Sequence, residues 1–459
     1  MARPKASYNT RKIGEETSMD AKPAISKPAV PPDPAVRWSA GRRHYVLAVL
    51  CLVGLFNFVD RQIITILIEP IKREFQVSDT AMGALTGLVF AGFYLAASLP
   101  LARVADVGVR RTLIAVCLGV WSGMTALGGV AQSFTQLALT RIGVAVGEAG
   151  AGPASHSMIS DLYSLKNRAT MIALFIAIQA VGIGTGVFLG GWLSQTFSWR
   201  TAFFIVGVPG VLLATLIMLT VKEPPRGMSE AVAVAADKPS FWTAVKRLWS
   251  MRSYRFVALT GLFGSIPGYG MLGWGPTMFI RVHELSPAVA GFWFGSIAAV
   301  GLFLGGFLSG LIGDRVSRGD LRVYMWVAAT GCLVCAPLGV GAVFAPSPQV
   351  GFALLFLFQL SISFHNPPCM AMAQTLAPVR MRALASVAMT MLVTGTGVGL
   401  APLLIGALND VFEPRFGANA VRYSLALMML GALVSSACAL ISTIWIRRDF
   451  VRTQQEAAG

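Results

Sequence analysis

Twelve long apolar runs, separated by clusters of charge, constrain this chain more than any other feature. A helix needs about 20 predominantly apolar residues to cross the hydrocarbon core of a bilayer. Runs of that order occupy residues 46–68, 82–103, 112–131, 135–158, 168–194, 200–221, 255–280, 288–312, 322–345, 350–373, 382–408 and 421–446. Only 13% of the residues are charged, where ordinary soluble domains carry about 25%. A water-soluble enzyme of this size is therefore excluded. The expected fold class is an all-α membrane protein of twelve transmembrane helices in two six-helix bundles. Residues 1–43 hold six prolines, from Pro4 to Pro34, among mixed charges. That leader is too long and polar for a signal peptide and is expected to be a disordered cytoplasmic tail.

Twelve crossings place both termini on one side. Under that topology 29 of the 37 Lys and Arg fall in the tails and loops of the terminal side. Six (Lys72, Arg73, Arg200, Arg281, Arg415 and Arg422) fall on the opposite side, and Arg61 and Arg141 lie within runs. The positive-inside bias makes the terminal side cytoplasmic, which implies a multi-pass protein of the plasma (inner) membrane. The net charge of +16 is thus mostly a topology signal rather than a nucleic-acid footprint, and no nucleic-acid partner is expected. All six cysteines lie in apolar segments. Cys332-x-x-Cys335 has metal-like spacing but sits inside a run without a second pair or a nearby His, so it reads as small-residue packing. No Walker loop, catalytic-triad spacing or metal cluster is present. Neither an enzyme nor a cofactor is expected.

A polar, basic stretch at about 222–254, with Lys222-Glu223-Pro224-Pro225-Arg226, divides the chain six runs plus six. The expected organisation is a bundle over 44–221, the inter-bundle loop, a second bundle over 255–446 and a cytoplasmic tail over 447–459. The halves echo each other. Asp106-x-x-x-Arg110-Arg111 follows the second run, and Gly310-x-x-x-Asp314-Arg315-x-x-Arg318 follows the eighth. Asp161 to Arg168 and Gln374 to Arg382 follow runs four and ten. Glycines one turn apart mark the equivalent runs: Gly83/Gly87 in run two, Gly182/Gly186/Gly190 in five, Gly301/Gly305 and Gly306/Gly310 in eight, and Gly395/Gly399 in eleven. Small residues at this spacing let helix backbones approach closely. Two similar halves point to a transporter with its site near the midplane between them.

On these residues the chain resembles the major facilitator superfamily over about 44–448. The two acidic–basic loops are similar to that family's signature loops. Arg141 with Gly147 resembles its fourth-helix motif, and Trp199-Arg200-x-x-Phe203 the start of its sixth helix. Gly182-x-x-x-Gly186-x-x-x-Gly190-Gly191 resembles the fifth-helix motif of antiporters, with Val187 where that motif has Pro. Ala102, Val107 and Val109 also depart from the first loop motif. Within the superfamily the resemblance is to spinster-like transporters, carried by Asn57-Phe58-Val59-Asp60-Arg61, Gly147-Glu148-Ala149, Phe90-x-x-x-Tyr94 and Pro378 to Arg382. It implies lysolipid or sphingolipid-type substrates. It also implies that helices two and eleven, and five and eight, line the contact between halves, which would put the glycine pattern on the moving interface.

The residues themselves locate a mechanism. A charge at the centre of a crossing costs about 2.5–3.5 kcal/mol on insertion scales and defaults to a functional role. Four such charges exist, Asp60, Arg61, Arg141 and Glu148, all in the first half. At 1.5 Å per residue each lies within about 8 Å of the midplane. Arg141 and Glu148, seven residues apart, share a helical face. Asp60 and Glu148 are the expected proton carriers, since burial and the neighbouring arginines pull on them in opposite directions. Arg61 and Arg141, with Asn57 and Tyr94, are the expected holders of an anionic head. The second half offers aromatics instead, among them Phe263, Tyr269, Trp274, Phe292, Trp293 and Phe294, together with Gln359, His365 and Asn366. Tyr269, Trp274 and His365 are its candidate substrate residues, and His156 is a weaker candidate in the first half. Asp106, Arg110, Arg111, Asp314 and Arg315 are candidate gate residues that could bond neighbouring helix ends. The expected function is proton-coupled alternating-access transport of an amphipathic anion, by a monomer surrounded by membrane lipids. A polyspecific drug–proton antiporter or an organic-anion symporter is the alternative.

Overall fold

The structure, a computed structural model, describes residues 38–228, 241–317, 319–378 and 381–458. Most of the leader, the middle of the inter-bundle loop, Arg318 and Arg380 lie outside the described residues. Ten helices in the described residues are long and apolar enough to cross a membrane: Ala40–Ile66, Asp79–Val107, Arg110–Gly128, Lys166–Thr196, Trp199–Thr220, Arg252–His283, Pro287–Ser317, Arg322–Val343, Pro348–Leu376 and Leu384–Ser442. The last is 59 residues long, about 88 Å if straight. It turns back at Gly417, whose φ of 54° suits a residue without a Cβ, and so makes two crossings. Phe134–Leu162 is as long as its neighbours but carries Arg141 and Glu148, which lower its hydropathy. Counting it gives twelve spans in the predicted order, most ends extending a few residues past the apolar runs.

Local chemistry sets where many of these helices begin. Ser39, Ser78, Ser133, Ser198 and Ser347 each accept a hydrogen bond from the backbone N–H three residues on, as N-caps do. Span ten breaks over Ser363–His365 just before Pro367 and Pro368, which cannot donate the bonds that a continuous helix needs. Among the described residues three α-helices lie outside the spans. Ile68–Phe75 follows span one, Phe241–Ser250 precedes span seven, and Ile446–Ala458 ends the chain.

The spans form two bundles. In the first, span one packs on five, three on four and six, and two on four; in the second, seven packs on twelve, nine on ten and twelve, and eight on ten. The bundles meet where span five crosses eight and span two crosses eleven, as the family resemblance implied. At the second crossing both helices widen into a π turn, Leu85–Val89 in span two and Thr394–Leu400 in span eleven, a distortion that is often functional. The terminal side joins spans one and six through Tyr45–Thr220 (2.6 Å) and span seven to the C-terminal helix through Ser253–Asp449.

The glycine expectation needs correction. In span two Gly83 and Gly87 do meet Pro402 and Gly399 of span eleven. The regular stripe of span five, Gly182, Gly186 and Gly190, instead packs on Leu55, Val59 and Ile63 of span one, within its own half. The glycines of span five that face the other half are Gly184 and Gly191, against Gly295 and Pro287. Likewise Gly301 and Gly305 face span ten, and nothing lies within 4 Å of a Cβ at Gly306 or Gly310. An i, i+4, i+8 stripe defines a single helix face, and the intra-bundle contact took it.

Candidate functional site

The four intramembrane charges gather between spans one and four. Arg61 donates from both Nε (3.1 Å) and Nη2 (2.6 Å) to one oxygen, Oε2, of Glu148. Among the described residues, Glu148 Oε1 accepts no hydrogen bond, and neither carboxylate oxygen of Asp60 does. Asp60 neighbours Trp121 and Thr125 of span three, whose Nε1 and Oγ1 are also without partners. Arg141 donates to the backbone carbonyl of Asp60 at 3.5 Å and lies 5.7 Å from the Phe90 ring, and among the described residues its Nε has no partner. Adjacent residues on a helix point about 100° apart. Asp60 therefore turns into the bundle, 0% exposed, while the Arg61 side chain keeps 16% of its surface accessible against 0% for Glu148. Of the bridged pair, Arg61 is the member a ligand can touch.

Aromatic rings enclose that guanidinium. Phe58, Phe90 and Tyr94 lie 5.3, 4.9 and 5.2 Å from it, and Phe90 stacks on Tyr94. Such cation–π contacts hold a cation without neutralising it. Tyr269 approaches Arg61 and Tyr94 from the second half and packs against all three hydrophobic clusters of the described residues. Asn57, one turn before Arg61, neighbours Glu148. The sequence thus foresaw a group that the fold brings together: Asn57, Asp60, Arg61, Tyr94, Arg141, Glu148 and Tyr269.

Other candidates sit elsewhere. Trp274 is fully buried and donates to the Pro402 carbonyl at 2.9 Å, tying span seven to eleven. His365 is buried at the break in span ten, its Nδ1 2.5 Å from the Ile362 carbonyl. His156 packs edge-on against Phe175. Gln359 is fully buried with both amide atoms unpartnered.

The loop residues act within each half. Arg110 is buried and binds Asp161, Glu223 (2.8 Å), Ser157 (2.9 Å) and the Pro224 carbonyl (2.8 Å). Arg111 bonds Glu223 and Val221. Together they fasten the ends of spans three, four and six. Asp314 accepts from Tyr324 at 2.8 Å, while Asp106 and Arg315 are exposed.

The clamp between halves lies at the opposite end and was missed. Arg281, at the end of span seven, binds Glu69 and grips Asp79 through two nitrogens, Nη2 at 2.7 Å. Lys72 (2.7 Å) and Asn409 (2.9 Å) complete the shell of Asp79. Asp410 of span eleven accepts from the backbone N–H of Asp79 (2.9 Å) and Thr80 (2.8 Å), so a second-half carboxylate caps a first-half helix. Gln195 accepts from the Ala288 N–H at 3.0 Å. These cross-half bonds close the far side. The sequence signal was weak: Arg281 counted only as a loop charge, although Glu69, Asp79 and Asp410 stood at neighbouring span ends.

Two six-span bundles, with buried charges between spans one and four and a clamp joining the bundles at one end, have the build of a membrane transporter. The family model for the Major Facilitator Superfamily matches residues 50–402, and the chain belongs to that superfamily. An MFS-type efflux pump of Mycolicibacterium smegmatis is 32% identical over 427 residues, covering 92% of this chain and 98% of its own. Protein spinster of Drosophila melanogaster is 28% identical over 85% of this chain and 67% of its own. The crystal structure of a bacterial homologue of the human lysosomal transporter Spinster, inward-facing and unoccupied, superposes with a TM-score of 0.80. It is 28% identical and covers 91% of this chain and 99% of that one.

Proposed function

We propose that this chain is a proton-coupled transporter of an amphipathic, anionic, lipid-like molecule of the lysolipid or sphingolipid type. The observation that carries the reading is the bridged pair in which Arg61 is accessible and Glu148 is sealed, with Asp60 and Arg141 buried behind it. An anionic head entering beside Tyr94 and Tyr269 competes with Glu148 for Arg61. A proton taken by Glu148 releases the arginine to the head, and Asp60 offers a second carboxyl to the same exchange. Substrate and proton occupancy are then linked through one guanidinium. The clamp closes the side away from the termini, and the distribution of Lys and Arg supports a cytoplasmic terminal side, so an inward-facing step of the cycle is the reading it favours. A monomer in the inner membrane suffices for this cycle, with the proton as coupling ion.

Reconstituted protein under an imposed pH gradient tests the coupling. E148Q and D60N are expected to lose gradient-driven accumulation of a lysolipid while retaining substrate counterflow. Undiminished gradient-driven transport in both variants refutes it. A second reading, drug–proton antiport, draws on the similarity to an MFS-type efflux pump. Competition by cationic dyes but not by lysolipid would favour that reading, and competition by small organic anions alone would favour anion symport.

A further inference from the structure

A second, peripheral site lies on the terminal side, away from the charge cluster. It is built around the helix Phe241–Ser250 of the inter-bundle segment. Ala244 and Leu248 anchor that helix, both 0% exposed, and its two remaining faces differ sharply. One face, with Phe241, Trp242, Val245 and Trp249, lines an apolar groove of about 320 Å³ completed by Met391 and Leu392 of span eleven. Beyond its end, a polar pocket of about 260 Å³ is walled by Arg247, Arg252, Arg448 and Arg452. The acidic residue of that wall is Asp449, and its Oδ2 already accepts from the Ser253 N–H (3.0 Å) and Oγ (2.7 Å). Trp249 and Tyr254 border the groove, and Ser250, Met251 and Arg252 between them border the pocket, so the two cavities flank the same short link between the helix and span seven. Trp242 remains 75% exposed, as suits an indole at the membrane–water interface.

We propose that this is a binding site for an intact anionic phospholipid of the surrounding leaflet. The phosphodiester head would occupy the arginine pocket and an acyl chain the adjoining groove. Charge complementarity selects the head: Arg252 and Arg448 line the pocket with the single carboxylate Asp449, beside Arg247 and Arg452, which already have partners, and arginines suit charge-assisted phosphate binding. The apolar groove selects a lipid over a soluble phosphate. An amphipathic helix with tryptophans on its apolar face lies in the plane of the interface, where such a lipid is at hand. Because the groove uses span eleven, a bound lipid would brace the inter-bundle helix against a span that contacts the opposite bundle.

Native mass spectrometry of the full-length purified protein, titrated with phosphatidylglycerol or phosphatidylcholine, tests the assignment. Phosphatidylglycerol should bind at least about tenfold more tightly, since each basic residue near an anionic lipid is worth about fivefold. R252Q/R448Q should weaken phosphatidylglycerol binding by about 25-fold on the same scale and leave phosphatidylcholine binding unchanged. R252K/R448K should restore most of the preference. Equal binding of both lipids, or an unaffected double glutamine variant, overturns the proposal. Glycerol 3-phosphate binding as tightly as phosphatidylglycerol overturns the lipid assignment. Loss of phosphatidylglycerol binding in R61Q would place the lipid in the central site and also overturn it. Unchanged phosphatidylcholine binding and an unchanged size-exclusion profile serve as the folding control.

Discussion

Replacing Arg281 by alanine should open the far side of the transporter. Arg281 supplies three charge-assisted hydrogen bonds, one to Glu69 and two to Asp79. Bonds to charged groups contribute about 1.5–3 kcal/mol each, but they are not additive here, because Asp79 keeps Lys72 at 2.7 Å and Asn409 at 2.9 Å. The guanidinium is also 15% exposed, which places each bond toward the lower end of that range. Loss of the Glu69 bond and about half the hold on Asp79 comes to about 2–3 kcal/mol, or a factor of about 30–150 in the balance between closed and open far sides. The assay is the labelling rate of a single cysteine at Thr86 by a membrane-impermeant thiol reagent applied from that side. Thr86 lies half-buried in span two, next to Gly87, which meets Gly399 of span eleven. The six native cysteines are buried and give little background. R281A should raise the rate at least tenfold, and R281K by less, since lysine keeps the charge but not the fork. A change within twofold in correctly folded R281A protein would refute the role of the clamp.

A Cβ at Gly184 would lie 2.7 Å from the Gly295 carbonyl oxygen of the other half, so G184A should slow transport severalfold in proteoliposomes, whereas G310A, which meets nothing within 4 Å, should be neutral. R110A removes a buried cation from Asp161, Glu223 and Pro224 and should cost about 3–5 kcal/mol, read as a fall in the unfolding midpoint in detergent. Glu74 is bonded by Arg200 and by the Trp199 indole, and these bonds hold its carboxyl below the usual glutamate range. A depressed folded-state pKa stabilises the protein above the unfolded value and is lost as pH falls through the folded one. The contribution should therefore be constant from pH 6 to 8 and fade below about pH 4. E74Q should remove that acid-side loss, with an effect below about 1 kcal/mol because the pair is largely exposed.

What could be read in the sequence was what is local. The spans and the four intramembrane charges each announce themselves within one stretch of about 20 residues, because hydropathy and the cost of burying a charge act residue by residue, and the halves show as local motifs that recur. The pairing of Arg61 with Glu148 was not legible in detail, since either arginine could have taken either carboxylate across 87 residues of chain. Arg110 was legible as a loop charge, but Asp161 and Glu223 stand 51 and 113 residues away, and their convergence depends on bundle packing. The glycine stripes show the same limit. Periodicity identified the faces that pack closely, yet whether Gly186 met span one or span eight depended on tertiary arrangement. Arg281, Asp79 and Asp410 were hidden for a different reason. Each lies near a span end, where a charge costs little and so carries no signal.

The second span joins the two parts of the machine. Its first turn holds Asp79 and Thr80 in the far-side clamp, and its middle supplies Phe90 and Tyr94 to Arg61. The two sites are separated by about 16 Å of helix, and the π turn Leu85–Val89 lies between them against the matching turn of span eleven. A π turn inserts a residue into the helical ladder and permits a local change of phase without breaking the rod. The second half contributes to both sites as well, through Tyr269 and Arg281 of one helix, span seven. A ligand that moves Arg61 away from Glu148 therefore displaces rings on a span whose other end is held by the clamp. The clamp is polar and partly wet, so its bonds can exchange with water at modest cost. At the charge cluster Arg61 is as accessible as Arg281, 16% against 15%, but its partner Glu148 is sealed, so an exchange of partner or proton there passes through Arg61. In the proposed cycle the exchange would therefore begin at Arg61 and reach the clamp at Asp79 through span two.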